Sequence, residues 1–277
     1  MSKYWPEFAA QGKQDVTVSE LLSHQAGLSH FDEGSIPTEK TADPSFHELL
    51  ARQKPKWKLG EGTHGYHTHS VGLFVNELVK RADPKQRNLR QYFKEEVNGP
   101  LGNLKIYFGL EEAKMDEQIV RHYYPRNPSA NEEMKLAMMD ENSLPRRAYS
   151  TYSDFHAFRS RTMLSPSSIL YSTSKDLALL ASLTCMYTDP KLVESASEPI
   201  TKGKDLNLLE EVTFTRGGFI VDNQHPLSFF HYGHGGAAFV VLPKLKIGFS
   251  FVCNNLTDRR EELVKSFYNC LKLNSNL

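Results

Sequence analysis

Six consecutive residues, His64-Gly65-Tyr66-His67-Thr68-His69, place a phenol among three imidazoles just ahead of a helical stretch. A tyrosine at such a turn can sit at a helix N-terminus. There the helix dipole favours the phenolate, and a depressed pKa makes the oxygen a usable base. The same residues also fit a surface turn with the tyrosine packed on its neighbours. A second polar cluster, His231-Tyr232-Gly233-His234-Gly235-Gly236, lies between two strand-like runs. Its glycines let a ligand lie close against the backbone, as when a substrate adds to a strand edge. A histidine beside them can donate a hydrogen bond to a substrate carboxylate or to a tetrahedral oxyanion. A tight hairpin whose glycines supply positive φ accounts for the cluster equally well.

Two histidine-rich clusters also raise a metal centre, with His64, His67 and His69 completed by His231 and His234. However, His67-Thr68-His69 runs into Ser70-Val71-Gly72, with neither the acid nor the third histidine of a His-x-His-x-Asp-His site. There is no His-Glu-x-x-His either. The expectation is therefore no metal and no cofactor.

Positioning these groups takes a folded core. The chain has 277 residues, of which 39% are apolar and 24% charged, which excludes a disordered chain, a collagen or a disulfide-stapled miniprotein. Thirty-three basic residues balance 33 acidic ones, without the basic excess of a nucleic-acid binder. Cys185, Cys253 and Cys270 form no Cys-x-x-Cys pair and fit free thiols in a reducing compartment. The N-terminal residues lack an apolar signal region, and no apolar run reaches the length of a membrane span. A cytoplasmic protein is the default expectation.

Thr17-Val18-Ser19-Glu20 reads as a capping box opening a short helix that ends at Gly27. Asp43 or Ser45 caps a second helix, through about residue 52. Val71, Phe74, Val75, Leu78 and Val79 predict a helix from Ser70, stopped at Asp83-Pro84. A further helix spans roughly 89–97, residues 110–160 read as an irregular excursion, and 175–186 is helical again. The C-terminal third changes period. Residues 212–221, 227–232, 237–242 and 247–253 read as short strands. Asp258 begins a last helix that buries Leu263, Val264, Phe267 and Leu271. Helices, then an antiparallel meander, then a closing helix make an α+β layout. With no internal repeat and no Gly/Ser-rich linker, residues 1–277 read as one domain.

The order of motifs carries a resemblance. Leu21-Leu22-Ser23-His24-Gln25-Ala26-Gly27-Leu28 resembles the "LLSHxxGL" segment of the serine β-lactamase-related family, which includes class C β-lactamases, penicillin-binding-protein-like esterases and D-alanyl-D-alanine carboxypeptidases. Gly65-Tyr66-His67 followed by Ser70-Val71-Gly72 resembles its tyrosine motif. Tyr171-Ser172-Thr173-Ser174-Lys175-Asp176-Leu177-Ala178 resembles its "ST-x-x-DLA" segment, and Gly233-His234-Gly235-Gly236 its third motif. The resemblance implies a β-lactamase/transpeptidase-like fold: an antiparallel sheet with a packed C-terminal helix and a largely helical region. It also implies acyl transfer on an amide or ester, with Tyr66 and His234 as catalytic residues. Thr68, Gly235 and Gly236 would bind the substrate.

The family's nucleophile is the serine of a Ser-x-x-Lys motif upstream of the tyrosine. None precedes Tyr66 here. The only one in the chain, Ser172-Thr173-Ser174-Lys175, falls in the "ST-x-x-DLA" segment. Ser167-Ser168-Ile169-Leu170 stands where the family places Gly-Gly, and Thr68 where many members carry Asn. The expectation is a member without the family's N-terminal portion, and so without its nucleophile, its lysine and the strands that pair beside the C-terminal ones. Such a chain would be inactive. It would bind a small amide, ester or peptide and would tend to self-associate. A non-catalytic binding or regulatory protein on the same fold is the alternative, and a histidine-based metal hydrolase a further one.

Overall fold

The computed structural model describes residues 1–109, 139–153, 167, 170–222, 228–233, 236–253 and 260–271. His234, Gly235, Asp258 and most of the 110–160 excursion lie outside them.

Helix α1 (Val18–Leu22) opens on the expected capping box: Thr17 Oγ1 accepts from the Glu20 N–H, and the Glu20 carboxylate accepts from the Thr17 N–H. It closes well short of Gly27. Ser23 Oγ donates back to the Ser19 carbonyl, and His24 turns out of the helix at φ +64°. Helices α2 (Phe46–Arg52) and α3 (Val71–Ala82) bury Phe46, Leu49, Leu50, Leu73, Phe74 and Leu78. These pack with Trp5, Phe8, Leu21, Leu28 and Phe31 into the core of the helical region. Leu73 joins the buried face of α3, while Val71 and Val75 border it.

Lys13 is buried in the same region. Its ammonium donates to the carbonyls of Ala10, Ala51 and Gln53 at 2.6–3.0 Å, and burial brings its pKa down to about 8. Helix α4 (Leu89–Tyr92) passes into a π-helical turn over Phe93–Asn98, so the expected 89–97 helix is irregular in its second half. Strand β1 (Ile106–Phe108) pairs antiparallel with β2 (Leu170–Ser172), and α5 (Leu144–Tyr149) is a helix inside the stretch read as irregular.

The main sheet of the described residues is antiparallel, in the order β3 (Ile220–Val221), β4 (Phe229–Gly233), β5 (Ala237–Leu242), β6 (Ile247–Phe251). Alternation divides its faces. Phe230, Tyr232, Ala238, Val240, Leu242 and Phe249 pack with α8 (Arg260–Cys270). On the opposite face α6 (Ser174–Tyr187) lies against β6 so closely that Gly248 meets its backbone, and Ser182 Oγ accepts from the Gly248 N–H. Helix α7 (Pro190–Ser197) follows directly.

Two expectations need correction. Residues 212–219 are not a strand. Gly217 and Gly218 press against the carbonyls of Ala196 and Leu22, and the chain turns sharply there, with the Gly218 N–H bonded to the Thr215 carbonyl. Only Ile220–Val221 joins the sheet. On α8 the fully buried residues are Val264 and Tyr268, with Phe267 and Leu271 beside them; Leu263 is half-buried. Phe267 stacks on Phe249 with ring centroids 4.3 Å apart. Phe267→Ala should therefore lower stability by about 3 kcal/mol in urea unfolding. A loss under about 1 kcal/mol would mean that the helix contributes little to holding the sheet.

Candidate active site

Tyr66 sits on a loop zipped to the segment that follows α1. The His24 carbonyl accepts from the Gly65 N–H, and His24 Nδ1 accepts from the His67 N–H at 3.2 Å. The left-handed turn at His24 folds that ring back onto the loop. His67 Nε2 accepts from the Leu28 N–H at 2.8 Å, which leaves its Nδ1–H to donate to the Gly65 carbonyl at 2.7 Å. Ser70 Oγ donates to the Leu28 carbonyl. Gly27, at φ +69°, passes so close to Pro55 that a Cβ there would stand 2.9 Å from the proline ring. The 21–28 motif thus acts as a clamp on the tyrosine loop.

A second clamp comes from residues 205–207. Asp205 is fully buried, and its Oδ1 accepts from the N–H groups of Tyr66, Asn207 and Leu208. Asn207 Nδ2 donates to the Tyr66 carbonyl at 2.9 Å, and the Leu206 N–H to the His64 carbonyl. Both backbone groups of Tyr66 are therefore held from a segment about 140 residues away. Burial raises the pKa of Asp205 although the three N–H groups favour its carboxylate.

So fixed, the Tyr66 ring stacks on the buried ring of Phe214 at 8° between planes, with His24 edge-on at 4.8 Å. Its phenol meets His231 Nε2 at 3.1 Å. His231 lies on β4, on the face opposite Phe230 and Tyr232. Burial lowers its pKa, partly offset by the Tyr232 backbone. Burial also holds His24 well below its usual value and brings His67 down to about 4.

The expected site residues fall as follows. Of the second histidine cluster, His231 on β4 meets the Tyr66 phenol. Gly236, at φ +90°, closes the β4–β5 turn, its N–H bonded to the Gly233 carbonyl. Thr68 Oγ1 is buried and has no hydrogen-bond partner among the described residues. His67 has both ring nitrogens committed to backbone, and no three His, Cys, Asp or Glu side chains among the described residues are arranged to hold a metal ion. Ser172 ends β2 and its Oγ donates to the Lys105 carbonyl. It does not open a helix, since Thr173 caps α6. Sequence reasoning had His231 only as a member of the second cluster and a candidate metal ligand, and missed its pairing with Tyr66 and the 205–207 clamp. The period-two alternation of 229–233 was the available signal for the histidine, because it separates His231 from Phe230 and Tyr232. The clamp left no local signal.

A family model described as Beta-lactamase matches residues 1–267. An esterase/β-lactamase named LipL, from Mycobacterium tuberculosis, is 29% identical over 138 residues, covering 50% of this chain and 31% of that protein. The match thus spans about a third of the relative's length. Among solved structures, a penicillin-binding protein homologue from Caulobacter crescentus superposes with a TM-score of 0.72 at 25% identity, covering 92% of this chain and 69% of the other. EstA from Arthrobacter nitroguajacolicus superposes at 0.81 with 21% identity, over 98% and 77% of the two chains, a likeness of fold. Ordered motifs, a tyrosine set against the sheet and a family-model match over nearly the whole chain converge: this chain belongs to the β-lactamase family.

Proposed function

We propose that the chain carries the tyrosine and strand side of an acyl-transfer site for a small amide, ester or peptide carbonyl, and that these 277 residues alone do not turn such a substrate over. The observation that carries the reading is the Tyr66–His231 contact, which joins the tyrosine motif to the strand leading into the third motif across 165 residues. Tyr66 would move protons and His234 would meet the substrate carboxylate. Thr68, Gly235 and Gly236 would line the substrate's path, a backbone N–H of the strand helping to hold the oxyanion. Residues 1–277 serve as one β-lactamase-related domain in this reading, and self-association of the chain belongs to it.

The inactivity follows from the nucleophile. Losing it costs on the order of 10⁶ in kcat in a comparable hydrolase. Ser172 is tied to the Lys105 carbonyl just ahead of β1 and offers no replacement. Assays of the purified chain with p-nitrophenyl butyrate and a chromogenic cephalosporin should stay at the blank, and a fluorophosphonate should leave no adduct. Turnover above blank that Ser172→Ala removes would overturn the assignment of Ser172 as structural. Specific binding of a substrate-like peptide without turnover would favour the non-catalytic alternative on the same fold.

A further inference from the structure

We propose that His231 is the proton partner of Tyr66: its Nε2 receives the phenolic proton, leaving the tyrosine oxygen as the base that faces substrate. The proposal rests on the acyl-transfer reading and deepens it. It stands on three geometric facts. The phenol and Nε2 are 3.1 Å apart, within hydrogen-bond reach. The phenol is held from turning away, because the Tyr66 N–H and carbonyl are both bonded to the 205–207 clamp and the ring is stacked on Phe214. The His231 backbone is held in register by its pairing with Phe239 on β5, which keeps the ring on the Tyr66 side of the sheet.

A hydrogen bond with the Tyr232 backbone favours the protonated His231 ring. In the tautomer protonated on Nδ1, the neutral ring presents Nε2 as an acceptor and Tyr66 donates. Transfer breaks the Tyr66 O–H bond and forms a His231 N–H bond, giving a phenolate beside an imidazolium, with no other reactant consumed. Among the described residues, the other titratable groups around the pair are His24, edge-on to the Tyr66 ring, and His64 and His67, which act electrostatically on His24. His24 meets the Tyr66 ring edge-on and gives its Nδ1 to the His67 N–H, and His67 has both ring nitrogens bonded to backbone, so neither is set to receive the phenolic proton. His231 acts on substrate through Tyr66 and is therefore a positioning residue.

The test reads the pair directly and needs no turnover. The full chain is labelled with 13Cζ-tyrosine and ring-15N histidine, the Tyr66 and His231 signals being assigned with Tyr66→Phe and His231→Phe. His231→Phe should raise the phenol midpoint of Tyr66 by at least about one pH unit, a tenfold change, because the phenolate loses the imidazolium that would carry its proton. His231→Gln, whose amide can hydrogen-bond the phenol but cannot take up its proton, should restore only a small part of the shift. Tyr66→Phe should in turn move the His231 midpoint by at least about half a unit, since coupled groups report on each other. A Tyr66 midpoint unchanged in His231→Phe, or a glutamine that restores it in full, overturns the proposal. If His231→Phe does not fold, the His231 response to Tyr66→Phe decides alone, and no response overturns it. Ester hydrolysis by the unmodified chain would sink the inactive-chain reading but leave this coupling standing, so the two failures are separable.

Discussion

Urea unfolding of the chain should show a steep loss of stability as the pH falls from about 7 to about 5. His67 and His30 are buried, and burial brings their pKa values to about 4 and about 3. The unfolded value is about 6.5, so between these limits the unfolded chain binds more protons than the folded one. Stability is then complete above the unfolded pKa and declines as pH drops towards the folded pKa. Each of the two histidines should cost about 2 kcal/mol by pH 5, or roughly 4 kcal/mol together. His24, held well below its usual value by burial and by the neighbouring histidines, adds in the same direction. The loss has a local meaning. A proton on His67 Nε2 removes the acceptor for the Leu28 N–H, and the clamp under Tyr66 opens. A midpoint flat between pH 7 and pH 5 would show that these rings are solvated or paired in the folded chain.

Gly248→Ala should be the most damaging single methyl group in the C-terminal sheet. A Cβ at this position would stand 2.3 Å from the Ala178 carbonyl oxygen, 2.5 Å from the Ala181 Cβ and 2.9 Å from the Ser182 nitrogen. Two of these are backbone atoms in the middle of α6, so the whole helix must lift from the sheet, and the Gly248 N–H bond to Ser182 Oγ goes with it. The loss should be about 3 kcal/mol or more in thermal or urea unfolding. Gly34→Ala is the comparison: its Cβ meets nothing within 4 Å, so only its φ of +84° resists, and the effect should be about 1 kcal/mol. Equal effects at the two positions would mean that α6 yields without cost.

What the sequence made legible were features written in neighbouring residues. The capping box at Thr17 and the core stripe of α3 are local patterns. Strand β5 occupies the expected residues 237–242, because an unbroken apolar run between Gly236 and Pro243 leaves little freedom. Where reading failed, a distant partner decided. The end of α1 is set by His24 reaching for His67, and the turn at 215–218 by close approaches to Ala196 and Leu22. The candidate site divides in the same way. Tyr66 stood out because three histidines surround it. His231 competed with His234 in one six-residue cluster, and only the sheet's faces show which of His231 and Tyr232 meets the phenol. The Asp205–Asn207 clamp pairs a short polar segment with a loop some 140 residues earlier, and no periodicity announces such a bond.

The alternation along β4 limits how this region can change over evolutionary time. His231 faces Tyr66 while Phe230 and Tyr232 face α8, so chemistry and packing are interleaved one residue at a time. Losing or gaining a single codon within the strand would turn a phenylalanine or tyrosine towards the phenol and drive the imidazole into an apolar layer. Substitutions can accumulate one by one here, but length changes inside β4 are viable only in pairs. Descendants of this chain should therefore vary their spacing in the turns on either side and keep an odd–even count through the strand itself.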